Sequence, residues 1–179
     1  MRIISGRHRG KRIVAPKKLP VRPTTDMVKE SLFNILHNSY AFENIRVLDL
    51  YAGTGNISYE FASRGVPEIV AVDDNARCVQ FIASTAKELE APIQVIKLDV
   101  IRYLDRAVGS FDIIFADPPY DLPIETIAKI PEMVYERGLL SEEGILILEH
   151  SKHLKLEELP GHKESRKYGS SVLSFFESK

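Results

Sequence analysis

Ile45-Arg46-Val47-Leu48-Asp49-Leu50-Tyr51-Ala52-Gly53-Thr54-Gly55-Asn56 is the stretch that decides the fold. An apolar run over 45–50 reads as a buried strand. It ends in a loop where Gly53 and Gly55 permit tight turns, and a helical pattern follows over 56–64. The alternation continues outward. Strands are expected over 69–72, 93–98, 111–116 and 144–149. Between them lie a helix with Val79, Ile82, Ala83 and Ala86 on one side and helical segments over 101–107 and 124–137, the last expected to break or kink at Pro131. Continuous β-branched runs separated by amphipathic helices are what a parallel sheet covered on both faces requires, so the expectation is an α/β, doubly wound domain. Near the end, 163–168 and 172–177 flank Gly169-Ser170-Ser171 and read as an antiparallel hairpin at one sheet edge.

Before this domain the chain has a different character. Residues 1–22 carry eight cations (Arg2, Arg7, Arg9, Lys11, Arg12, Lys17, Lys18 and Arg22) and no acid, a charge of +8 that leaves −9 on the remainder. The 24 Lys+Arg and 25 Asp+Glu of the 179 residues therefore average over a basic arm (1–22) and an acidic body (23–179). Strands over 2–5 and 11–15 around Gly6-Arg7-His8-Arg9-Gly10 are expected to make the arm a small β-hairpin. Its cations suit phosphates, each contact releasing counterions. Pro16, Pro20 and Pro23 punctuate a linker, and Thr24 or Thr25 can cap the next helix, whose apolar face is Val28, Leu32, Ile35 and Leu36. An apolar share of 44% excludes disorder, and neither a membrane-length apolar stretch nor a signal-peptide pattern is present, so a cytoplasmic protein is expected. Cys78 is the sole cysteine, which excludes an intramolecular disulfide and a Cys-based zinc site. His150 and His153, three apart beside Glu149, fall where a strand runs into a loop; no metal site is expected.

In open α/β sheets, ligands sit beyond the carboxyl ends of the strands. The first such loop, with Asp49, Tyr51, Ala52, Gly53, Gly55 and Asn56, lets a ligand approach the backbone closely. Ser58 occupies the place of the third small residue of a dinucleotide fingerprint, and the Asp49 carboxylate would repel a pyrophosphate but suits an ammonium or sulfonium. Asp73-Asp74, with Asp73 18 residues after Gly55, stand near the spacing at which an acid takes ribose hydroxyls; Asp73 is expected on the ribose and Asp74 as a helix cap. Asp99, beside Val100, falls where an adenine amino group would lie and can equally cap the following helix. These residues point to a cationic nucleoside.

Asp117-Pro118-Pro119-Tyr120, after the fourth strand, is the most specific signal. Two prolines make the loop rigid and leave it rich in acceptors. Asp117 and the Pro118 carbonyl can accept the two hydrogens of an exocyclic amine, while Tyr120 stacks on the ring bearing it. Drawing on both protons turns the nitrogen lone pair into a nucleophile, and Asp117 can take the released proton.

Taken together, Asp49 to Gly55 and Asp117 to Tyr120 resemble a class I, Rossmann-like S-adenosylmethionine-dependent methyltransferase of the type that methylates amino groups. Arg2-Ile3-Ile4-Ser5-Gly6, Arg9-Gly10-Lys11, Arg22-Pro23-Thr24-Thr25-Asp26-Met27-Val28-Lys29-Glu30-Ser31-Leu32-Phe33-Asn34 and Tyr168-Gly169 resemble the bacterial RsmD family, across essentially the whole chain. The resemblance implies methylation of a guanine N2 amino group in small-subunit (16S) ribosomal RNA. It also implies a substrate presented as naked RNA or within an assembling 30S particle, a monomeric enzyme, and S-adenosylhomocysteine as product. It places the 22–30 segment near the methionine end of the cofactor and makes Arg7, Arg9, Lys11, Arg12, Arg22 and Thr24 the substrate-binding residues. Asp73 stands where that family usually has glutamate, and Asn56 and Ser58 where small residues are common. DNA adenine N6 methylation would use the same loop, and a non-catalytic nucleic-acid-binding protein would have no need of Asp49, Asp117 and Tyr120 together. A dehydrogenase fits less well.

Overall fold

The computed structural model describes residues 1–21 and 24–178. Seven strands form one sheet: β1 (Arg46–Leu50), β2 (Glu68–Asp73), β3 (Ile93–Lys97), β4 (Phe111–Ala116), β5 (Leu140–Ser151), β6 (His162–Tyr168) and β7 (Ser171–Glu177). Their order is β3-β2-β1-β4-β5-β7-β6, parallel from β3 through β5 and antiparallel where β7 pairs with β5 and β6. The five helices are α1 (Asp26–His37), α2 (Asn56–Ser63), α3 (Ala76–Glu88), α4 (Val100–Arg106) and α5 (Ile124–Glu136). The expected doubly wound sheet with a C-terminal hairpin is what forms.

Period-two alternation along the central strands feeds two cores. Leu48, Leu50, Ile114, Leu146 and Leu148 face the helices α4 and α5 through Leu104, Ile127, Ile130 and Val134. Val47, Ile113, Phe115 and Ile147 face α1 and α2 through Leu32, Phe33, Ile57 and Phe61. No helix among the described residues is long and apolar enough to cross a membrane. Pro131 does not break α5, which runs through it to Glu136. With Ile127, Ile130, Pro131 and Val134 all buried, packing on the sheet outweighs the one helical hydrogen bond a proline forfeits. β5 also starts earlier than the apolar run suggests, because Leu140 pairs with Phe111 ahead of an irregularity in the register.

The basic arm keeps the expected hairpin pairing in its shortest form. Its two strands reduce to one bridge, Arg2 opposite Arg12, with Ile3 N–H donating to the Lys11 carbonyl at 3.0 Å. Ile3 and Ile13 are buried against Tyr59 and Ile82, so the arm lies on the body instead of extending from it. Its anchor is a buried ion pair: Lys29 and Glu60 are both 0% exposed and 3.4 Å apart. Glu60 accepts the backbone N–H groups of Ile4 (2.9 Å) and Ser5 (3.0 Å), and Lys29 Nζ donates to the Arg2 carbonyl. Burial pulls the Lys29 ammonium below the usual lysine range, and Glu60 opposes that pull.

Candidate active site

Three adjacent parallel strands bring their acids to one face. On β1, Asp49 follows Val47; beyond β4, Asp117 continues the Ile113 and Phe115 positions; on β5, Glu149 continues Ile145 and Ile147. On β2, Asp73 falls on the same face as Ile69 and Ala71. Because side chains alternate along a strand, all four acids emerge on the α1/α2 side. There they line a cavity of about 510 Å³, shared with Thr24, Tyr51, Ala52 and Gly53 and with Pro118, Pro119 and Tyr120.

The loop after β1 is held from beneath. Tyr51 adopts φ +56, Gly53 +56 and Gly55 +80, so the turn relies on two glycines and one strained tyrosine. Ala52 N–H donates to the Val72 carbonyl, Gly53 N–H to Asp73 Oδ2 and Gly55 N–H to the Ala52 carbonyl. With these donors engaged, the loop does not form the cradle of free N–H groups that a pyrophosphate needs. A Cβ on Gly55 would stand 2.7 Å from the Tyr59 ring. Gly55→Ala is therefore expected to destabilise the fold by about 1–3 kcal/mol, seen as a lower urea midpoint; an unchanged midpoint would refute the packing requirement.

Asp49 is buried and accepts a hydrogen bond from Ser58 Oγ at 2.6 Å. Burial pushes its carboxyl up to about 7, the Ser58 hydrogen bonds oppose the shift, and Asp73 adds to it. Ser58 thus orients the acid. Asn56, also buried, accepts from Lys29 Nζ at 2.9 Å and donates to the Thr24 carbonyl at 3.2 Å, joining the arm's anchor to the cavity wall. Neither polar side chain disturbs the seating of α2, since each is hydrogen bonded.

Asp73 accepts from both Gly53 and Asn75 backbone N–H groups at 2.9 Å, and burial raises its carboxyl above the usual range. The expected cap of α3 is corrected: Asn75, not Asp74, accepts from the N–H groups of Arg77 and Cys78, which leaves the exposed Asp74 carboxylate on the cavity. Asp99 caps α4 by accepting from Arg102 N–H at 3.0 Å. Neither it nor Val100 is among the lining residues, and Gly55 shapes the loop from behind. Burial and the charges of Asp99 and Asp74 push the Tyr51 hydroxyl up to about 12, and Tyr51 lines the cavity alongside Asp74.

At the other side, Asp117 N–H donates to the Leu50 carbonyl at 3.3 Å, tying the Pro-Pro loop to β1. The Pro119 carbonyl accepts from Leu122 N–H and so is not one of the loop's free acceptors; among the described residues no backbone donor reaches the Pro118 carbonyl. Tyr120 is 45% exposed, and its hydroxyl is 3.2 Å from Ser171 Oγ at the start of β7. Thr24 Oγ1 donates to Glu149 Oε2 at 3.0 Å, while Thr25 caps α1. Glu149, 4% exposed, is the lining residue that the sequence reading treated only beside the histidines. His150 points away, bonded to Ser174 Oγ at 2.7 Å, and burial lowers it below the usual histidine range. Arg22 lies outside the described residues. Arg7, Arg9, Lys11 and Arg12 are not brought to the cavity.

The sequence model of a family described as conserved hypothetical protein 95 matches residues 1–177. A Bacillus subtilis protein, YlbH, provisionally named an rRNA methyltransferase, is 36% identical over 166 residues, 90% of this chain and 88% of its own. Ribosomal RNA small subunit methyltransferase D of Escherichia coli K12 is 29% identical over 165 residues, 90% of this chain and 80% of its own. The solved structure of a hypothetical protein from Thermus thermophilus superposes with a TM-score of 0.86 at 28% identity, over 99% of both chains. With its acids on one face, its Asp-Pro-Pro-Tyr loop and these matches along almost its full length, the chain belongs to the RsmD family of rRNA methyltransferases.

Proposed function

We propose that the chain transfers a methyl group from S-adenosylmethionine to the exocyclic N2 amino group of a guanine in 16S ribosomal RNA, in the cytoplasm, releasing S-adenosylhomocysteine. The observation that carries this reading is that Asp117, Pro118 and Tyr120 share one cavity with Asp49, Asp73 and Asp74. From β2 across β1 and β4 to β5 is about 14 Å at ~4.8 Å per strand, a span that suits a nucleoside joined to an amino acid. Asp73 and Asp74 would take the ribose hydroxyls, and Asp49, oriented by Ser58, would balance the cationic methionine portion. The cofactor supplies an electrophilic methyl group on sulfur.

The protein's part is orientation and proton acceptance. Asp117 and the Pro118 carbonyl each accept one hydrogen of the guanine amine, which frees its lone pair, and Tyr120 stacks on the base. As the nitrogen forms its bond to the methyl carbon and the carbon–sulfur bond breaks, positive charge develops on nitrogen beside the Asp117 carboxylate, which receives the proton. An exocyclic adenine amine could meet the same two acceptors; the family match favours RNA guanine. Arg9 and Arg12, exposed and without ion pairs among the described residues, remain available to a second RNA segment.

The test is transfer of radiolabelled methyl from S-adenosylmethionine by the purified protein. Label is expected in 16S RNA, free or in 30S particles, isolated from cells lacking the gene. No label in either form would overturn the proposal.

Asp49 makes the cofactor step sensitive to pH. Its raised carboxyl is protonated below about 7, so cofactor affinity is expected to fall roughly tenfold between pH 8 and pH 6. Calorimetry checks this, and Asp49→Asn should flatten the profile; a flat wild-type profile would contradict it. In the ligand-free protein the sign is opposite. The folded-state value lies above the unfolded one, so this group's contribution to stability is complete below the unfolded value and lost as pH rises through about 7.

A further inference from the structure

Lysines on the catalytic face are placed better than the arm's tip to hold the RNA that delivers the target base. The tip (Gly6 to Gly10) lies at the far end of α2: Arg7 N–H donates to the Ser63 carbonyl at 2.7 Å and His8 N–H to Ser63 Oγ at 2.9 Å. α2 starts at the cavity with Asn56 and ends at Ser63, which puts the tip about 12 Å away at 1.5 Å per residue. Gly6 is locked there, because a Cβ would come within 1.9 Å of the Ser63 carbonyl oxygen. Two of the tip region's cations are also engaged, Arg7 with Glu90 at 3.4 Å and Lys11 with Glu88 at 2.7 Å, beyond or at the same lower end of α3.

The mouth of the cavity has a different supply of cations. On one side, exposed Lys17 and Lys18 sit in a turn closed by Leu19 N–H to the Pro16 carbonyl, directly ahead of Pro20 and Val21, which line the cavity. On the other side, Lys152 N–H donates to the Ser170 carbonyl at 3.2 Å, and the next residue, Ser171, meets the Tyr120 hydroxyl. Lys167 and Lys155 do not join Lys152 there: Lys167 pairs with Val172, the partner of His150, and so points to the α4/α5 side of the sheet, and Lys155 lies between Leu154 and Leu156, which pack in the core on that side. Lys17, Lys18 and Lys152 are exposed, and among the described residues none of them forms an ion pair. Exposed acids intervene at Asp121 and at Glu157 and Glu158, so phosphates would be held at separate points and not over a uniform positive surface.

We propose that the RNA backbone crosses the mouth of the cavity between Lys17 and Lys18 on one side and Lys152 on the other, with Tyr120 between them receiving the base. This rests on the RNA-methyltransferase reading and assigns the strand its path. Lysines act here as point charges on phosphate, so they add affinity and salt dependence without reading sequence.

The test uses the complete protein and a fragment of 16S RNA, with binding measured over a range of salt concentrations alongside KM, kcat and cofactor affinity. The triple variant Lys17→Ala, Lys18→Ala, Lys152→Ala is expected to bind RNA at least tenfold more weakly, with KM raised to match and kcat at saturation and cofactor affinity unchanged. Its salt slope should shrink by about 2, at roughly 0.7 per lost phosphate contact on a single strand. Lys155→Ala with Lys167→Ala, on the other face of the sheet, and Arg7→Ala with Arg9→Ala, at the tip, should each have the smaller effect. Wild-type binding and slope in the triple variant, or a larger loss from the tip pair, would overturn the proposal while the enzyme still methylates RNA. Wild-type protein that neither binds nor methylates RNA would overturn the functional reading as well.

Discussion

Asp117→Ala is expected to abolish methyl transfer, lowering kcat by about 10³-fold or more, while cofactor affinity stays within about twofold of wild type. Removing a preorganised group at the developing charge costs about 10²–10³ in rate and removing a proton acceptor about 10²–10⁴; Asp117 serves in both capacities. Cofactor affinity is spared because the residues proposed to hold the ribose and the cationic portion lie elsewhere, Asp49 on β1 and Asp73 and Asp74 at the end of β2, and Asp49 and Asp73 have their own hydrogen bonds. Asp117→Asn separates the two capacities. Its amide oxygen can still accept one amine hydrogen but cannot take the proton, so it should fall between wild type and alanine. Single-turnover transfer with calorimetry in parallel measures both quantities. Full turnover by the alanine variant would remove Asp117 from the chemistry.

The second large effect concerns folding. Lys29→Met should destabilise the protein by about 3 kcal/mol, because the Arg2 carbonyl, Asn56 and Glu60 each lose a charged partner and Arg64 alone is left to balance Glu60. For a chain of this size that corresponds to a fall in Tm of about 10 °C, at ~2–4 °C per kcal/mol. Glu60 also accepts from Ile4, Ser5 and Arg64, and Lys29 itself holds the Arg2 carbonyl, so loss of the lysine should loosen the arm, and limited proteolysis is expected to cut within the first 20 residues. Lys29→Met combined with Glu60→Gln should recover part of the loss, since a glutamine oxygen can still accept a backbone N–H without the charge. Strict additivity of the two single losses would show that the pair is not coupled. Because Lys29 also holds Asn56, the variant should weaken cofactor binding even where it remains folded.

The sheet was legible because its signal is local: apolar runs with a period of two, separated by helical faces, need no knowledge of distant contacts. Asp49 and the Asp-Pro-Pro-Tyr loop were legible for a similar reason, each being a polar departure at the end of such a run. Glu149 carried the same signal, following Ile145 and Ile147 by steps of two, but was weighed only beside His150, which turns to the other face toward Ser174. The arm was read by its charge. What fixes its position is a buried lysine on α1 and a buried glutamate on α2, residue types that ordinarily lie on solvated helix faces, so nothing in the local pattern marked them as core. Asp99 and Asp74 show the limit of spacing alone: both sit beyond strand ends, and only the three-dimensional course of the loops sends one to cap α4 and makes Asn75, not Asp74, the cap of α3.

The most direct test of the central claim is the identity of the nucleoside that receives the methyl group. After reaction with 16S RNA from cells lacking the gene, complete digestion and mass spectrometry are expected to show N2-methylguanosine, at a yield that falls to background with Asp117→Ala. Methyl groups found on adenine N6, or on a ring nitrogen or the ribose, would contradict the account.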